Sequence, residues 1–343
     1  MNKRRILALC ACLAALWLAL PAHAVSNVTL EQDELFVPPP LLPRMTILSP
    51  QIGEGIGSGN LLTVEAEGRY TERIEITVSW EGGETTERAE GDTLATTFIL
   101  PPISSPVTLT VRGFSAPDDA SGAVLEGVAT RVLPVPRDML IEQMIALALH
   151  DSKLKRYNPA PAQTGTDIGV CKNFVMRMFS THSNQYEMLA YPGLKLRMPL
   201  NNLKVNVAPY QYGIEWALDG PETGNPFDTV ATFRYDPDLS KAENEALATA
   251  FLHNVRRGDC YQMVGNYVDG NGPHTLLFIA DYDPINDMLR WTDSNMKGTR
   301  INGDRWGYIQ YDCQRTVAWM VKAICTKNRG ATLYRLRDDL VLK

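Results

Sequence analysis

The segment "ERIEITVSW" sets Ile74, Ile76, Val78 and Trp80 on one side of an extended chain and Glu75, Thr77 and Ser79 on the other. A period of two does not suit a helix; it is the pattern of a strand with one buried and one wet face. "PVTLTVRGF" repeats it with Val107, Leu109 and Val111. Together with "MTILS", "LLTVEA", "ETTERA", "ATTFIL" and "GAVLEGVATRV" these give seven candidate strands, separated by Gly, Pro, Ser and Asp turns. Their number and spacing predict an antiparallel β-sandwich of immunoglobulin-like type over 45–135, without the cysteine pair of antibody domains. The region holds no histidine or cysteine, so it reads as a spacer or adhesion module.

Past the linker "VLPVPRD", whose prolines disfavour helix and central strand alike, the periodicity changes. "RDMLIEQMIALALHDSKLKR" carries Ile141, Met144, Ile145, Ala148 and Leu149 at helical spacing. A second helix is expected from Cys171, and a third in "DLSKAENEALATAFLHNVRRGD", capped by Ser240 or Asp238. Between them, 183–238 is rich in Asn, Pro, Gly and Tyr and reads as a long irregular insertion bordering the site. "CYQMVGNYV", "HTLLFIADYD", "MLRWTDSN", "RWGYIQYD" and "ATLYRLR" are strand-like, with a short helix in "RTVAWMVKAIC". Helices followed by antiparallel strands make 137–343 an α+β domain.

The opening "MNKRRILALCACLAALWLALPAHA" has a basic start, an apolar run and a small-residue ending. That layout predicts a signal peptide, 1–24, cleaved after Ala24, and an exported protein, periplasmic or secreted. The apolar run is shorter than the roughly 20 residues a bilayer span needs, and no later run replaces it, so no stable membrane insertion is expected. Residues 25–44 form an extended, proline-rich lead-in. Losing the leader removes three bases and no acids, taking the formal net charge from −6 to −9. With no basic tract left, nucleic acid is not expected as a partner. Four cysteines remain, Cys171, Cys260, Cys313 and Cys325, too few for a disulfide scaffold. A continuous helix from Cys313 to Cys325 would hold them about 18 Å apart, while either could pair with Cys260 across strands.

In "TDIGVCKNFVMRMF" Cys171 opens an amphipathic helix, with Phe174, Val175 and Met178 on the same stripe. Free N–H groups and the helix dipole in a first turn lower a thiol's pKa. A buried structural cysteine would look the same in isolation. His274 adds a base at the start of "HTLLFIADYD", and "RWTDSN" brings Asp293 and Asn295 to the next strand. A thiol nucleophile needs a base within hydrogen-bond reach, and that base needs a polar group on its far nitrogen. Cys171, His274 and Asp293 supply the three roles in that order. His150 and His253 read as half-buried packing within helices, and His182 as a cation favoured at a helix end. No spacing of metal-ligand type is present, so no cofactor is expected.

"TGTDIGVCKNFV", "VRRGDCYQMV", "GPHTLLFIADYD" and "RWTDSN" resemble the NlpC-type and CHAP (cysteine, histidine-dependent amidohydrolase/peptidase) cell-wall enzymes, compact relatives of the papain fold. The resemblance covers roughly 137–312. It implies Cys171 as nucleophile, His274 as base and Asp293 as orienter. Asn295 resembles an additional asparagine near the third position, and Tyr157 a tyrosine beside the thiol. The usual residues flanking the cysteine are replaced by Val170 and Lys172, and the 103 residues from Cys171 to His274 are long for the family. The implied activity is a thiol hydrolase, endopeptidase or amidase, acting on peptidoglycan or its peptide fragments. An acyl transferase on the same triad and an inactive envelope-binding protein stay open.

Overall fold

All seven expected strands of the first region are present: β1 (Arg44–Ser49), β2 (Leu61–Arg69), β3 (Arg73–Trp80), β4 (Gly83–Glu90), β5 (Thr93–Ile99), β6 (Val107–Phe114) and β7 (Glu126–Leu133). They form a three-stranded sheet, β1-β2-β5, and a four-stranded sheet, β4-β3-β6-β7, antiparallel throughout. Ile74, Ile76 and Val78 are fully buried, as are Leu109 and Val111 across from them. They share one apolar cluster with Leu62, Val64, Ala66 and Phe98 of the other sheet. The alternation is thus explained by two sheets burying their inner faces against each other.

This is a computed structural model, and it describes residues 41–51, 54–57, 60–117, 122–153, 171–201, 210–211, 216–217, 219–263, 265–266, 274–301, 304–327 and 329–343. The leader, most of the lead-in and Tyr157 lie outside the described residues.

The remaining chain folds around a six-stranded antiparallel sheet. Among the described residues four α-helices flank it: α1 (Pro136–Ser152), α2 (Cys171–His182), α3 (Lys241–Leu252) and α4 (Val317–Ile324). A three-residue strand β8 (Tyr186–Met188) pairs with β19 (Leu340–Leu342) at the end of the chain. Two-residue strands β9 (Leu200–Asn201) and β11 (Trp216–Ala217) pair with each other, and β10 (Tyr210–Gln211) pairs with β14 (Gly265–Asn266). The large sheet is built from β12 (Phe227–Arg234), β13 (Cys260–Met263), β15 (His274–Phe278), β16 (Met288–Ile301), β17 (Asp304–Thr316) and β18 (Gly330–Leu336). Its order is β12-β18-β13-β15-β16-β17.

Side-chain alternation gives this sheet two apolar faces. Cys260, Leu277 and Tyr334 join α1 and α2 residues such as Met144, Phe174 and Met178. Their sequence neighbours Tyr261, Leu276 and Leu333 join Phe251 of α3 and Met320 of α4. The first of these clusters also contains the buried strand residues of the two smaller sheets, so Leu133 of β7 and Leu140 of α1 belong to one core.

Local signals explain the ends. Ser240 caps α3 in a complete capping box: its Oγ accepts from Glu243 N–H, and the Glu243 carboxylate accepts from Ser240 N–H. At the entry to β13, Gly258 adopts φ +87, and a Cβ there would lie 2.5 Å from Ile141 of α1. Both the positive φ and the close helix demand glycine.

Two expectations need correction. The stretch 183–238 is not uniformly irregular, because β12 is an eight-residue edge strand of the large sheet. Its residues, "FDTVATFR", are β-branched and aromatic, and strand β18 supplies the pairing that the surrounding Asn, Pro and Gly residues obscured. The stretch also divides: β10 pairs just beyond Met263, the partner of His274, whereas β12 lies three places from β15. The second correction concerns His150 and His253, which are exposed rather than half-buried. His150 falls beside the buried stripe of α1, and His253 stacks on Tyr282 at 4.4 Å.

All four described cysteines are free thiols. Cys260 faces the α1 and α2 side of the large sheet, while Cys313 and Cys325 pack against the α3 and α4 side. Cys260 therefore lies on the opposite face of the sheet from the other two.

Candidate active site

His274 begins β15, paired with Met263 of β13, and β16 runs along the other edge of β15. The register of β16 against β17 shifts between Trp291 and Asp293. Such a bulge re-aims side chains. Here His274 Nε2 and Asp293 Oδ2 are 3.0 Å apart, and Trp291 Nε1 donates to the same oxygen at 2.9 Å. Asp293 is 6% exposed and its Oδ1 finds no hydrogen-bond partner among the described residues. A buried carboxylate oxygen left so costs about 1–3 kcal/mol or more.

Cys171 is the first residue of α2, held there by Phe174, Val175 and Met178, all 0% exposed. Its φ is +33, a value side chains other than glycine rarely adopt. Strain of this kind costs on the order of 1–3 kcal/mol and persists only where the surroundings impose it. The imposed position gives the sulfur its partners. Burial pushes the Cys171 thiol up, but a hydrogen bond and charge attraction from His274 reverse this. Backbone hydrogen bonds to Lys172 and Thr275 act the same way, leaving the thiol below its ordinary range.

His274 shifts in the complementary direction. Burial alone would lower it, yet hydrogen bonds to Asp293 and Cys171, with their charges, raise it to about 9. With Nε2 directed at Asp293, Nδ1 is left for the sulfur. The two shifts run in opposite directions, so each favours the proton on the imidazole over the thiol, and the far ring nitrogen is anchored on a carboxylate. Burial holds the neighbouring Lys172 ammonium below its usual pKa, partly offset by the Cys171 charge.

The other thiols differ. Burial raises Cys260, and Cys313 is pushed up to about 11 by burial and the nearby Asp293 charge. Burial also raises Cys325. Burial lowers His182, which has no part in the cluster.

Of the residues expected from sequence, Cys171, His274 and Asp293 come together. Asn295, two positions beyond Asp293, is exposed and lines a cavity of ≈ 500 Å³ beside them. Sequence reasoning missed Trp291, although its spacing of two from Asp293 in a strand was the available signal. It also missed the Thr275 N–H, for which no side-chain signal exists. Among the described residues no group of three or more His, Cys, Asp or Glu side chains could hold a metal ion, and no described helix is long and apolar enough to cross a membrane.

Comparison with known protein families, curated proteins and solved structures finds no match to this chain.

Proposed function

We propose that the chain is an exported thiol hydrolase that cleaves an amide bond of peptidoglycan peptides, using Cys171 as nucleophile, His274 as acid and base, and Asp293 as orienter. The observation that carries this reading is the opposed pair of shifts, Cys171 down and His274 up to about 9, with His274 Nε2 3.0 Å from Asp293. A buried thiol with no such partner moves the other way, as Cys260 does. In the same reading the two smaller sheets are an immunoglobulin-like sandwich, and the helix–sheet region is papain-like. The support for the latter is a cysteine at the start of α2, packed on an antiparallel sheet whose adjacent strands β15 and β16 carry the histidine and the acid.

The chemistry follows from these positions. The Cys171 thiolate attacks the amide carbonyl, and the developing oxyanion takes hydrogen bonds that include the Cys171 N–H at the helix start. The imidazolium proton of His274 passes to the leaving nitrogen as the C–N bond breaks, giving a thioester and a free amine. His274, now neutral, takes a proton from water, whose oxygen attacks the thioester. The carboxylic acid leaves, and the thiolate–imidazolium pair is restored.

The test is incubation of the protein, produced without residues 1–24, with purified peptidoglycan, followed by mass analysis of the fragments. Fragments each gaining one water at a single type of amide bond are the expected result. Unaltered peptidoglycan from a folded protein would reject the substrate class, and joined rather than split peptides would replace hydrolysis by transfer.

A further inference from the structure

Asp293 Oδ2 is a shared acceptor. His274 Nε2 lies 3.0 Å from it, and Trp291 Nε1 donates to it at 2.9 Å. The other oxygen, Oδ1, is closed to solvent and has no hydrogen-bond partner among the described residues. Among those residues the carboxylate is therefore held through one oxygen, by two N–H groups. The indole is fixed in its place. Trp291 and Asp293 are two apart on β16, with the register shift between them. Trp291 is 5% exposed, within the apolar cluster under α3 and α4, and its ring stacks on Trp319 of α4 at 6.1 Å. The Trp319 N–H is in turn taken by Thr316 Oγ1, the N-cap of α4, at 3.3 Å. Leucine or phenylalanine could supply an apolar wall here; what tryptophan adds is an N–H on a charged oxygen.

Two donors on one acceptor compete, so carboxylate charge taken up by the indole is withheld from the imidazolium. We propose that Trp291 is a positioning residue for His274: its N–H fixes Asp293 Oδ2 toward the imidazole and takes up part of the carboxylate charge, so that His274 keeps its direction but holds its proton less firmly. Without that N–H the buried carboxylate has His274 as its one donor among the described residues and grips the imidazolium more tightly. A general acid that holds its proton too tightly delivers it slowly. The consequence for catalysis rests on the amide-hydrolysis reading; the effect on His274 does not. The other titratable and charged groups around the pair are Cys171 and Lys172 of α2, Tyr261 of β13, and Cys313 and Arg315 of β17. All of them stay in place when only the indole N–H is removed.

The test deletes that N–H and keeps the ring. Trp291 is replaced by benzothienylalanine, whose fused rings preserve shape and stacking but carry sulfur where the indole has N–H. The histidines are labelled with nitrogen-15, and His274 is followed by NMR across pH 5–11, its signal assigned by its absence from His274→Ala protein. Its midpoint should rise by about half a pH unit or more over the tryptophan protein, a fraction of what a hydrogen bond to a charged group is worth. Trp291→Phe, which also lacks the donor, should move it the same way. In the tryptophan protein, the indole N–H signal that Trp291→Phe removes should shift with the same midpoint as His274. On peptidoglycan fragments, kcat of the benzothienyl protein should fall about tenfold at neutral pH with KM unchanged, and its alkaline limb should move up. A His274 midpoint that stays in place or falls in the benzothienyl protein would overturn the proposal, because a merely supporting wall leaves it where it is. A raised midpoint in a protein whose wild type cuts nothing would support the proposal and reject the hydrolase reading instead.

Discussion

Cys171→Ala and His274→Ala are each expected to remove turnover, by on the order of 10⁴-fold or more, while leaving the fold in place. The alanine at 171 keeps the helix stripe of Phe174, Val175 and Met178 intact, because only the sulfur points at the base. Loss of His274 acts through the thiol as well. Without the imidazolium, burial is the largest remaining influence on Cys171 and raises its pKa, so the nucleophile is lost along with the acid. The double variant should therefore be no worse than either single one, since both break the same step. Asp293→Ala should be milder, because it removes the orientation of His274 rather than the base itself. Activity should be bell-shaped in pH. On the acid side the thiolate is protonated; on the alkaline side, above about 9, His274 loses the proton it must give to the leaving amine. Full activity from a folded Cys171→Ala protein would end the assignment.

The second large effect is structural. Asp259, 0% exposed, takes Nε and Nη2 of Arg335 at 2.7 and 2.8 Å, along with the Arg256 N–H at 2.8 Å. The backbone of the same residue accepts from Phe278 N–H, the last residue of β15. This pair thus fixes the entry of β13 between β18 and β15, and with it the strand that begins at His274. Arg335→Ala should cost about 3–5 kcal/mol, because it leaves a carboxylate buried without its counter-ion. Burial already raises Asp259 despite the guanidinium. Without Arg335 it should rise further, and a carboxyl with a raised folded pKa costs stability only when ionised. The deficit should accordingly be full at neutral pH and shrink as pH falls through the folded pKa. Urea unfolding of both proteins at several pH values measures this, and a loss under 1 kcal/mol at neutral pH would contradict it.

How much of this was legible depends on the range of the determining contacts. The seven early strands and the α1 stripe could be read because one buried face imposes a strict period, and Ile74, Ile76 and Val78 obey it. Cys171, His274 and Asp293 could be read as types at suitable points, at the start of a helix or on neighbouring strands. What could not be read was made by pairing at a distance. Strand β12 exists because β18, about 100 residues later, offers it an edge, and β8 because the chain end returns to it as β19. The bulge before Asp293 and the φ of +33 at Cys171 leave no mark in residue type, though they set where the carboxylate and sulfur point. Trp291 carried a faint signal in its spacing from Asp293, but only the folded register shows that its N–H reaches the same oxygen as His274.

The central claim is that Cys171 is an activated thiolate made so by His274, and alkylation measures it most directly. Wild-type and His274→Ala proteins are treated briefly with iodoacetamide across pH 5–10, and label at each cysteine is quantified by peptide mass mapping. In the wild type Cys171 should label at pH 6 at least about 100-fold faster than Cys313, which is pushed up to about 11, and faster than the raised Cys325. In His274→Ala that advantage should vanish, with labelling of Cys171 appearing only as pH rises. A Cys171 that labels no faster than Cys313 at pH 6, or identically with and without His274, would contradict the account.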